Sequence, residues 1–218
     1  MYFINRYDAA MQLAQPLEKY RNKDGVILAV PGGGVPIGYY LAKHFDFALD
    51  LLMTKKIGHP LNSEYAIGAA GMEDNIIEEI TDIPDGYVEK ETARVQQQLK
   101  ERYQKFMKRN EPADIKGKIV IVTDDGIATG RTVLSTIKML RSKRPGKLVV
   151  AVPVAAPQAA ERIKLVVDDF ICLYTPSPFY RVGRFYMDFS EVSDEDVSGL
   201  LKELNARGYA AYHKLHSN

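Results

Sequence analysis

The stretch from Ile119 to Thr132 reads IVIVTDDGIATGRT and combines a strand, an acid pair, a turn and a helix start. Its first five residues are all β-branched, which is typical of a buried strand in a parallel sheet. Asp124 and Asp125 follow directly, and small and hydroxyl residues then lead into a helical pattern. Because parallel sheets bind ligands beyond the carboxyl ends of their strands, this stretch predicts a binding site at one sheet edge.

The turn Ala128–Thr132 has the properties of a phosphate-binding loop. The first amides of the following helix have no intrahelical partner, and the helix dipole favours an anion at that end. Gly130 allows close approach of the backbone, Thr129 and Thr132 add hydroxyl donors, and Arg131 completes the loop. We refer to residues 128–132 as the phosphate loop.

The acid pair requires a different ligand group, because two carboxylates repel a phosphate. Asp124 and Asp125 instead suit the hydroxyls of a sugar attached to that phosphate, with or without a divalent cation. A turn at Asp124–Gly126 and a helix N-cap at Thr129 would explain each piece separately. The complete order of strand, acid pair, Thr-Gly-x-Thr and helix favours a sugar-phosphate site.

Two common nucleotide-binding motifs are missing from the sequence. No G-x-x-x-x-G-K-[ST] loop occurs. The glycines at 32–34 are contiguous and lack the G-x-G-x-x-G spacing of a dinucleotide-binding fold.

Outward from this stretch, strand and helix patterns alternate, which predicts an α/β fold with a mostly parallel sheet flanked by helices. The predicted strands are Val26–Val30, Ala48–Met53, Lys118–Val122, Leu148–Val152 and Asp169–Leu173. The predicted helices are 5–20, Val35–Phe45, Val88–Arg109, Thr132–Arg141, Gln158–Leu165 and Asp194–Leu204, and an extended or hairpin region covers Ala66–Gly71 and Ile76–Ile80. Ser193 and Asp196 form a capping-box pattern before the last helix.

Composition narrows the function classes. The 218 residues carry a formal net charge of +1, so no global field recruits nucleic acid. No apolar run approaches the ~20 residues that span a bilayer, and the N-terminus lacks a signal-peptide layout. Cys172 is the only cysteine and lies in an apolar run, which favours a buried, unreactive thiol. We therefore expect a cytoplasmic protein without membrane or nucleic-acid partners.

Basic residues in the 88–109 helix are interleaved with glutamates, which is typical of a solvated helix face. Its basic C-terminal half is an alternative candidate for a dimer surface or an RNA contact. The histidines show no spacing that would build a metal site with His59, which we interpret as a loop contact.

Val120–Thr132 resembles the PRPP-binding motif of type I phosphoribosyltransferases, where PRPP is 5-phosphoribosyl 1-diphosphate. The segments KKIGHP at 55–60 and EYAIGA at 64–69 extend this resemblance to a little-characterised bacterial subgroup. The resemblance implies that Asp124 and Asp125 contact the ribose 2′- and 3′-hydroxyls and that the phosphate loop holds the 5′-phosphate. Asp125→Asn would then weaken PRPP binding with little change in stability.

The resemblance also implies a site for the diphosphate. Pro31–Gly34, the glycine loop, follows a strand and precedes a helix, so amides of Gly32, Gly33 and Gly34 are placed to bind it. In the family this loop often has a non-proline cis peptide and a preceding Arg or Lys, where this chain has Pro31 and Gly32. Lys55 and Lys56 are interpreted as the end of the second strand, beside the same edge of the sheet. Lys55 is assigned to diphosphate binding and Lys56 is assigned as a catalytic cation.

Residues 174–218 are expected to form a hood over the site, and residues 1–173 the PRPP-binding core with an inserted flexible loop and long helix. Hood aromatics suit stacking on an acceptor base, with Phe179, Tyr180 and Phe185 as candidates. Ala128 replaces the aspartate common in 6-oxopurine enzymes, so adenine, a pyrimidine or an unusual base is favoured over hypoxanthine and guanine. Acid/base catalysis would then come from elsewhere, such as the hood or a loop carboxylate like Glu64.

The sequence thus predicts a Mg²⁺-dependent phosphoribosyltransferase that moves 5-phosphoribosyl from PRPP to a nitrogenous acceptor and works as a homodimer. Mg²⁺ would be held mainly by PRPP, with Asp124 and Asp125 as the candidate protein ligands. The alternative is a regulatory protein that senses PRPP or a nucleotide with the same fold and no turnover. A hydrolase or phosphorylase acting on ribose phosphates is a third, weaker alternative.

Overall fold

The computed structural model describes residues 2–77, 82–109 and 111–206. The side chains of Ser63 and Glu64 lie outside this description, so the acid/base role of Glu64 stays a prediction. Residues 78–80 of the predicted extended region also lie outside this description, as do residues 207–218 at the end of the hood.

Parallel strands form the central sheet, as the uninterrupted apolar runs predict. Five strands pair side by side in the order β2-β1-β6-β7-β8, and each neighbouring pair is parallel. The strands of the described chain are β1 Gly25–Ala29, β2 Ala48–Leu51, β3 Thr54–His59, β4 Asn62–Gly71, β5 Asn75–Ile77, β6 Ile119–Thr123, β7 Lys147–Val154 and β8 Asp169–Tyr174. The α/β fold class is confirmed.

Helices cover both faces of the sheet. They are α1 Arg6–Leu17, α2 Gly34–Phe45, α3 Tyr87–Met107, α4 Arg131–Ser142, α5 Pro157–Lys164 and α6 Asp194–Ala206. Leu13, Leu41 and Leu201 share one apolar core, which places α1, α2 and α6 together. Ile137 of α4 and Ile163 of α5 belong to the second core. Since β1 and β6 are neighbours whose following helices lie on opposite faces, a crevice forms between their carboxyl ends.

A separate antiparallel sheet, in the order β3-β4-β5, lies between β2 and α3 in the chain. We call these strands and α3 the arm. The interpretation of Lys55 and Lys56 as the end of the second strand is wrong, because β2 ends at Leu51 and both lysines belong to β3. They lie on an exposed strand whose polar residues hide the two-residue period.

The far end of the arm is fixed to the central sheet by a buried ion pair. Asp50 of β2 is fully buried and lies 2.9 Å from the Arg109 guanidinium. The Tyr103 hydroxyl donates to the same carboxylate at 2.9 Å. Burial raises the pKa of Asp50, although the charge of Arg109 opposes that rise.

The hood and the N-terminal residues form one backbone network. The Phe3 amide donates a hydrogen bond to the Phe185 carbonyl at 2.8 Å, and the Phe3 carbonyl accepts one from the Met187 amide at 2.8 Å. Before α6, the Ser193 hydroxyl accepts the Asp196 amide at 3.1 Å, and the Asp196 carboxylate accepts the Ser193 amide at 2.9 Å. The predicted capping box is therefore confirmed. None of the described helices is long and apolar enough to cross a membrane.

Candidate functional site

The phosphate loop lies at the start of α4 in an open anion-binding geometry. Gly130 has φ +70°, a left-handed conformation that favours glycine, and no described side chain caps the helix. Ala128, Thr129, Arg131 and Thr132 are exposed. Ile127 fixes the base of the loop, because its amide donates to Val154 at 2.9 Å and its carbonyl accepts from Ala156 at 2.8 Å. The first amides of α4 are thus held at the sheet edge without a side-chain partner.

Asp124 and Asp125 follow β6 together but make different contacts. Asp124 Oδ1 accepts the amide of Asp125 at 2.8 Å. Burial, and then the charge of Asp125, raise the pKa of Asp124 well above its ordinary value. A cation beside Asp124 would therefore favour its charged form.

Asp125 is held by the N-terminal helix. Arg6 donates through Nε at 3.0 Å and through a terminal nitrogen at 2.8 Å to the same carboxylate oxygen. The two side chains are only 12% and 13% exposed. Arg6 also donates to the Ser190 carbonyl at 2.8 Å, and its guanidinium lies 4.1 Å from the centre of the Phe189 ring. One arginine thus joins α1, the acid pair and the hood.

The Asp125 carboxylate also packs against the glycine loop. A methyl group at Gly33 would overlap the Asp125 carboxylate. A methyl group at Gly34 would lie 2.9 Å from the Thr123 carbonyl oxygen, and Gly32 has φ +97°. Only glycines allow this close approach of the loop to the acid pair. The peptide bonds of the loop are trans, so the cis peptide that the resemblance implied does not occur.

A cavity of about 280 Å³ opens between these elements. Its volume is just below the range of about 300 to 1,000 Å³ that is typical of ligand sites. The lining comes from the glycine loop, the acid pair, the start of α4, the residues after β2, and the arm: Val30, Pro31, Leu52, Met53, Thr54, Leu99, Arg102, Asp124, Thr132, Val133 and Thr136. We call it the central cavity. It brings Asp124 and Thr132, both predicted site residues, to the edge of the glycine loop.

The phosphoribosyl transferase domain model matches residues 4–188 of the chain. The chain belongs to this family. The crystal structure of TT1426 from Thermus thermophilus is similar, with a TM-score of 0.83 and 35% identity, covering 93% of this chain and 99% of that one. Two curated relatives from Mycobacterium tuberculosis, strains H37Rv and CDC 1551, are both named "Putative phosphoribosyl transferase". They are 32% identical over 205 residues, or 91% of this chain and 46% of theirs, so the chain spans about half their length.

The predicted lysines of this phosphoribosyltransferase chain lie on the arm, and neither lines the central cavity. Lys55 donates to Gln98 of α3 at 3.1 Å. Both lysine side chains are exposed. His59 accepts the amide of Leu61 at 3.2 Å, which agrees with its interpretation as a loop contact.

The hood aromatics divide into packed and exposed groups. Phe179 and Phe185 pack on each other, with ring centres 5.4 Å apart, and both border the larger core. Tyr180 is 69% exposed and lies beside the Arg184 guanidinium, 5.2 Å from the ring centre. Cys172 is half-buried, and burial raises the pKa of its thiol to about 11. An unreactive thiol agrees with the prediction from its apolar surroundings.

Sequence reasoning missed Arg6, Tyr186 and Arg102. Tyr186 donates its hydroxyl to the Asp125 carbonyl at 2.6 Å, which ties the hood to the acid pair. Arg6 opens an amphipathic helix and Arg102 lies in a mixed-charge helix, so each has the pattern of a solvated residue. The one available signal was the position of Arg6 immediately after the helix cap Asn5, which favours an acid rather than a base.

Proposed function

We propose that this protein transfers the 5-phosphoribosyl group from PRPP to a nitrogen of a heterocyclic acceptor and releases pyrophosphate. The observation that carries the proposal is the central cavity, in which Thr132 of the phosphate loop and Asp124 face Pro31 of the glycine loop. The predicted phosphate loop, a carboxylate and the glycine loop thus contribute to one cavity, which supports a ligand with the three parts of PRPP.

Each part of PRPP meets a different element in this proposal. The phosphate loop binds the 5′-phosphate through the unpartnered amides at the start of α4. Asp124, and Asp125 where Arg6 leaves it accessible, accept hydrogen bonds from the ribose hydroxyls. The amides of Gly32, Gly33 and Gly34 bind the diphosphate at the start of α2, which no described side chain caps.

The reaction breaks the bond between ribose C1′ and the diphosphate oxygen and forms a bond from C1′ to the acceptor nitrogen. The diphosphate leaves with the bonding electron pair, and the acceptor nitrogen supplies the pair for the new bond and gives up its proton to a base or to water. Positive charge develops on the sugar between these events, and the carboxylate of Asp124 stabilises it. Amides and cations around the glycine loop stabilise the negative leaving group.

Mg²⁺ is the cofactor that this chemistry implies, since it neutralises diphosphate charge when bound. Among the described residues no group of three or more His, Cys, Asp or Glu side chains could hold a metal ion. Mg²⁺ is usually bound through one or two carboxylates together with substrate phosphates. Asp124 would supply the carboxylate in the cavity, and Asp125 is the second candidate.

The acceptor would lie under the hood, where Phe179, Tyr180 and Phe185 are the stacking candidates. Ala128 is exposed beside the acid pair and can neither accept nor donate a proton. We therefore propose adenine, a pyrimidine or an unusual base in preference to hypoxanthine and guanine.

A PRPP sensor without turnover is the second candidate, and the Arg6 contact favours it. Arg6 engages one of the two carboxylates that would otherwise receive the ribose. A site that binds PRPP through Asp124 and the two anion loops, yet aligns the sugar poorly, would bind without reacting.

The test measures pyrophosphate release from PRPP with adenine, hypoxanthine, guanine, xanthine, uracil and orotate, each with Mg²⁺ or with a chelator. We expect Mg²⁺-dependent release with adenine or a pyrimidine and its loss in Asp124→Asn. Turnover confined to hypoxanthine or guanine would overturn the acceptor assignment. PRPP binding without turnover would favour the sensor, and failure to bind PRPP would refute both.

We further propose a cytoplasmic homodimer in which residues 1–173 form the core and 174–218 the hood. A single cysteine supports a reducing compartment. The hydrophobic side chains Tyr2, Ile4 and Met187 are exposed where the N-terminus meets the hood, which supports a contact surface. Sedimentation equilibrium would test the dimer, and a monomer at micromolar concentration would refute it.

A further inference from the structure

The diphosphate site of the proposed function needs positive charge that the glycine loop does not supply. Pro31 and Gly32 carry no charge, so the loop offers only backbone amides. Lys55 donates to Gln98, and neither Lys55 nor Lys56 lines the central cavity. Backbone amides donate hydrogen bonds to the diphosphate but carry no net charge, so a cation of the protein would add to their stabilisation of the leaving group.

Arg102 of α3 lies where such a cation is required. It lines the central cavity together with Asp124, Pro31 and Thr132. Among the described residues of that lining it is the only basic one. Leu99, one helical turn earlier, lines the same cavity, so this face of α3 is turned toward the crevice.

The present partner of Arg102 leaves the guanidinium able to move. Arg102 lies 3.3 Å from one oxygen of Asp194, and its side chain is 51% exposed. Lys105 holds the other oxygen of Asp194 at 2.9 Å. Lys105 and Arg102 together lower the pKa of Asp194. If Arg102 turned toward the cavity, Asp194 would keep the shorter of its two ion pairs, so no carboxylate would lose its only partner.

We propose that Arg102 is a substrate-binding residue that leaves Asp194 to bind the diphosphate of PRPP. This inference rests on the proposed function. The planar guanidinium can donate two parallel hydrogen bonds to phosphate oxygens, which the lysines of the arm cannot do. Because Arg102 belongs to the arm while Asp124 follows β6 of the central sheet, a bound PRPP would contact both through its diphosphate and its ribose.

The experiment compares Arg102→Met with Lys105→Met, a matched control. Both residues lie on α3 and pair with Asp194, but only Arg102 lines the central cavity. Calorimetry measures the affinity of each protein for PRPP and pyrophosphate with Mg²⁺, and for ribose 5-phosphate, which lacks the diphosphate. We expect Arg102→Met to lose roughly tenfold or more in affinity for PRPP and pyrophosphate, the equivalent of one charge-assisted hydrogen bond.

Lys105→Met should bind all three ligands like the wild type, and Arg102→Lys should recover part of the lost affinity. All variants should bind ribose 5-phosphate equally, because a folding defect would weaken that ligand too. The inference is overturned if Arg102→Met binds PRPP normally, or if Lys105→Met or ribose 5-phosphate shows the same loss. A wild type that binds neither PRPP nor pyrophosphate would refute the proposed function itself.

Discussion

Arg6→Met tests whether the contact between α1 and the acid pair stabilises the fold. The substitution keeps most of the apolar length of the side chain and removes its charge. It deletes both hydrogen bonds to Asp125, at 3.0 and 2.8 Å, and the bond to the Ser190 carbonyl at 2.8 Å. The Asp125 carboxylate would remain packed against Gly33 without its cation.

The size of the effect follows from burial. Removing one member of a fully buried ion pair costs about 3–5 kcal/mol. Because Arg6 and Asp125 are 12% and 13% exposed, water reaches the pair, and we expect about 2–4 kcal/mol of lost unfolding free energy. For a chain of this size the melting temperature should fall by roughly 5–15 °C. Burial already raises the pKa of Asp125, and protonation of its carboxyl in the variant would bring the loss of unfolding free energy toward the lower end of this range.

The assay is thermal and urea unfolding of Arg6→Met, Asp125→Asn and the double variant. Asp125→Asn should also destabilise the protein, which reverses the sequence-based expectation of unchanged stability. The double variant should lose less than the sum of the two, with a coupling of about 1–3 kcal/mol. Arg21→Met is the control, since Arg21 and Glu18 are 40% and 45% exposed and such an exposed pair should contribute little to the free energy of unfolding. A coupling below about 0.5 kcal/mol would refute the reasoning.

Three further predictions follow from the site. Asp124→Asn should weaken PRPP binding by roughly tenfold or more in calorimetry while unfolding changes little, because the amide replaces a carboxyl that burial already disfavours as a charge; unchanged affinity would remove Asp124 from the site. Gly130→Val should abolish PRPP binding, since Gly130 has φ +70°, and normal binding by this variant would contradict the loop assignment. By contrast, Gly199→Ala in α6 should stabilise the protein by about 0.5–1 kcal/mol, because an added methyl group there meets nothing within 4 Å. Cys172, whose thiol pKa burial raises to about 11, should react with a disulfide reagent at pH 8 far more slowly in the native than in the urea-unfolded protein, and equal rates would contradict its burial.

The central fold could be predicted because its strands bury both faces. Val120, Ile121 and Val122 are almost fully inaccessible, and the same holds for the apolar residues of β7. Such strands appear in a sequence as uninterrupted runs of branched residues, which indicate both the strand and the parallel sheet. The turn before α4 was equally predictable, because Gly130 and the adjoining helix specify its backbone locally, while its role in phosphate binding stays a prediction.

The arm was harder to predict because only part of it is buried. In β3, Ile57 is fully buried, while Lys55 and Lys56 are exposed. A single apolar residue among polar ones shows no clear period of two, so the strand resembled a charged loop. Its pairing with β4 is a tertiary contact, and the sequence signals only the β4–β5 turn that follows.

Arg6 and Arg102 show why charge patterns alone give the wrong role for a basic residue. Both lie on helices whose pattern favours solvent, and each acquires its role from residues far away in the chain. Arg6 is 119 positions from Asp125 in the sequence, yet their side chains form a buried pair. Arg102 and Asp124 line one cavity to which both the arm and the loops of the central sheet contribute. Local sequence therefore predicts the glycine loop and the turn before α4, whereas the neighbours of Arg6 and Arg102 depend on the tertiary fold.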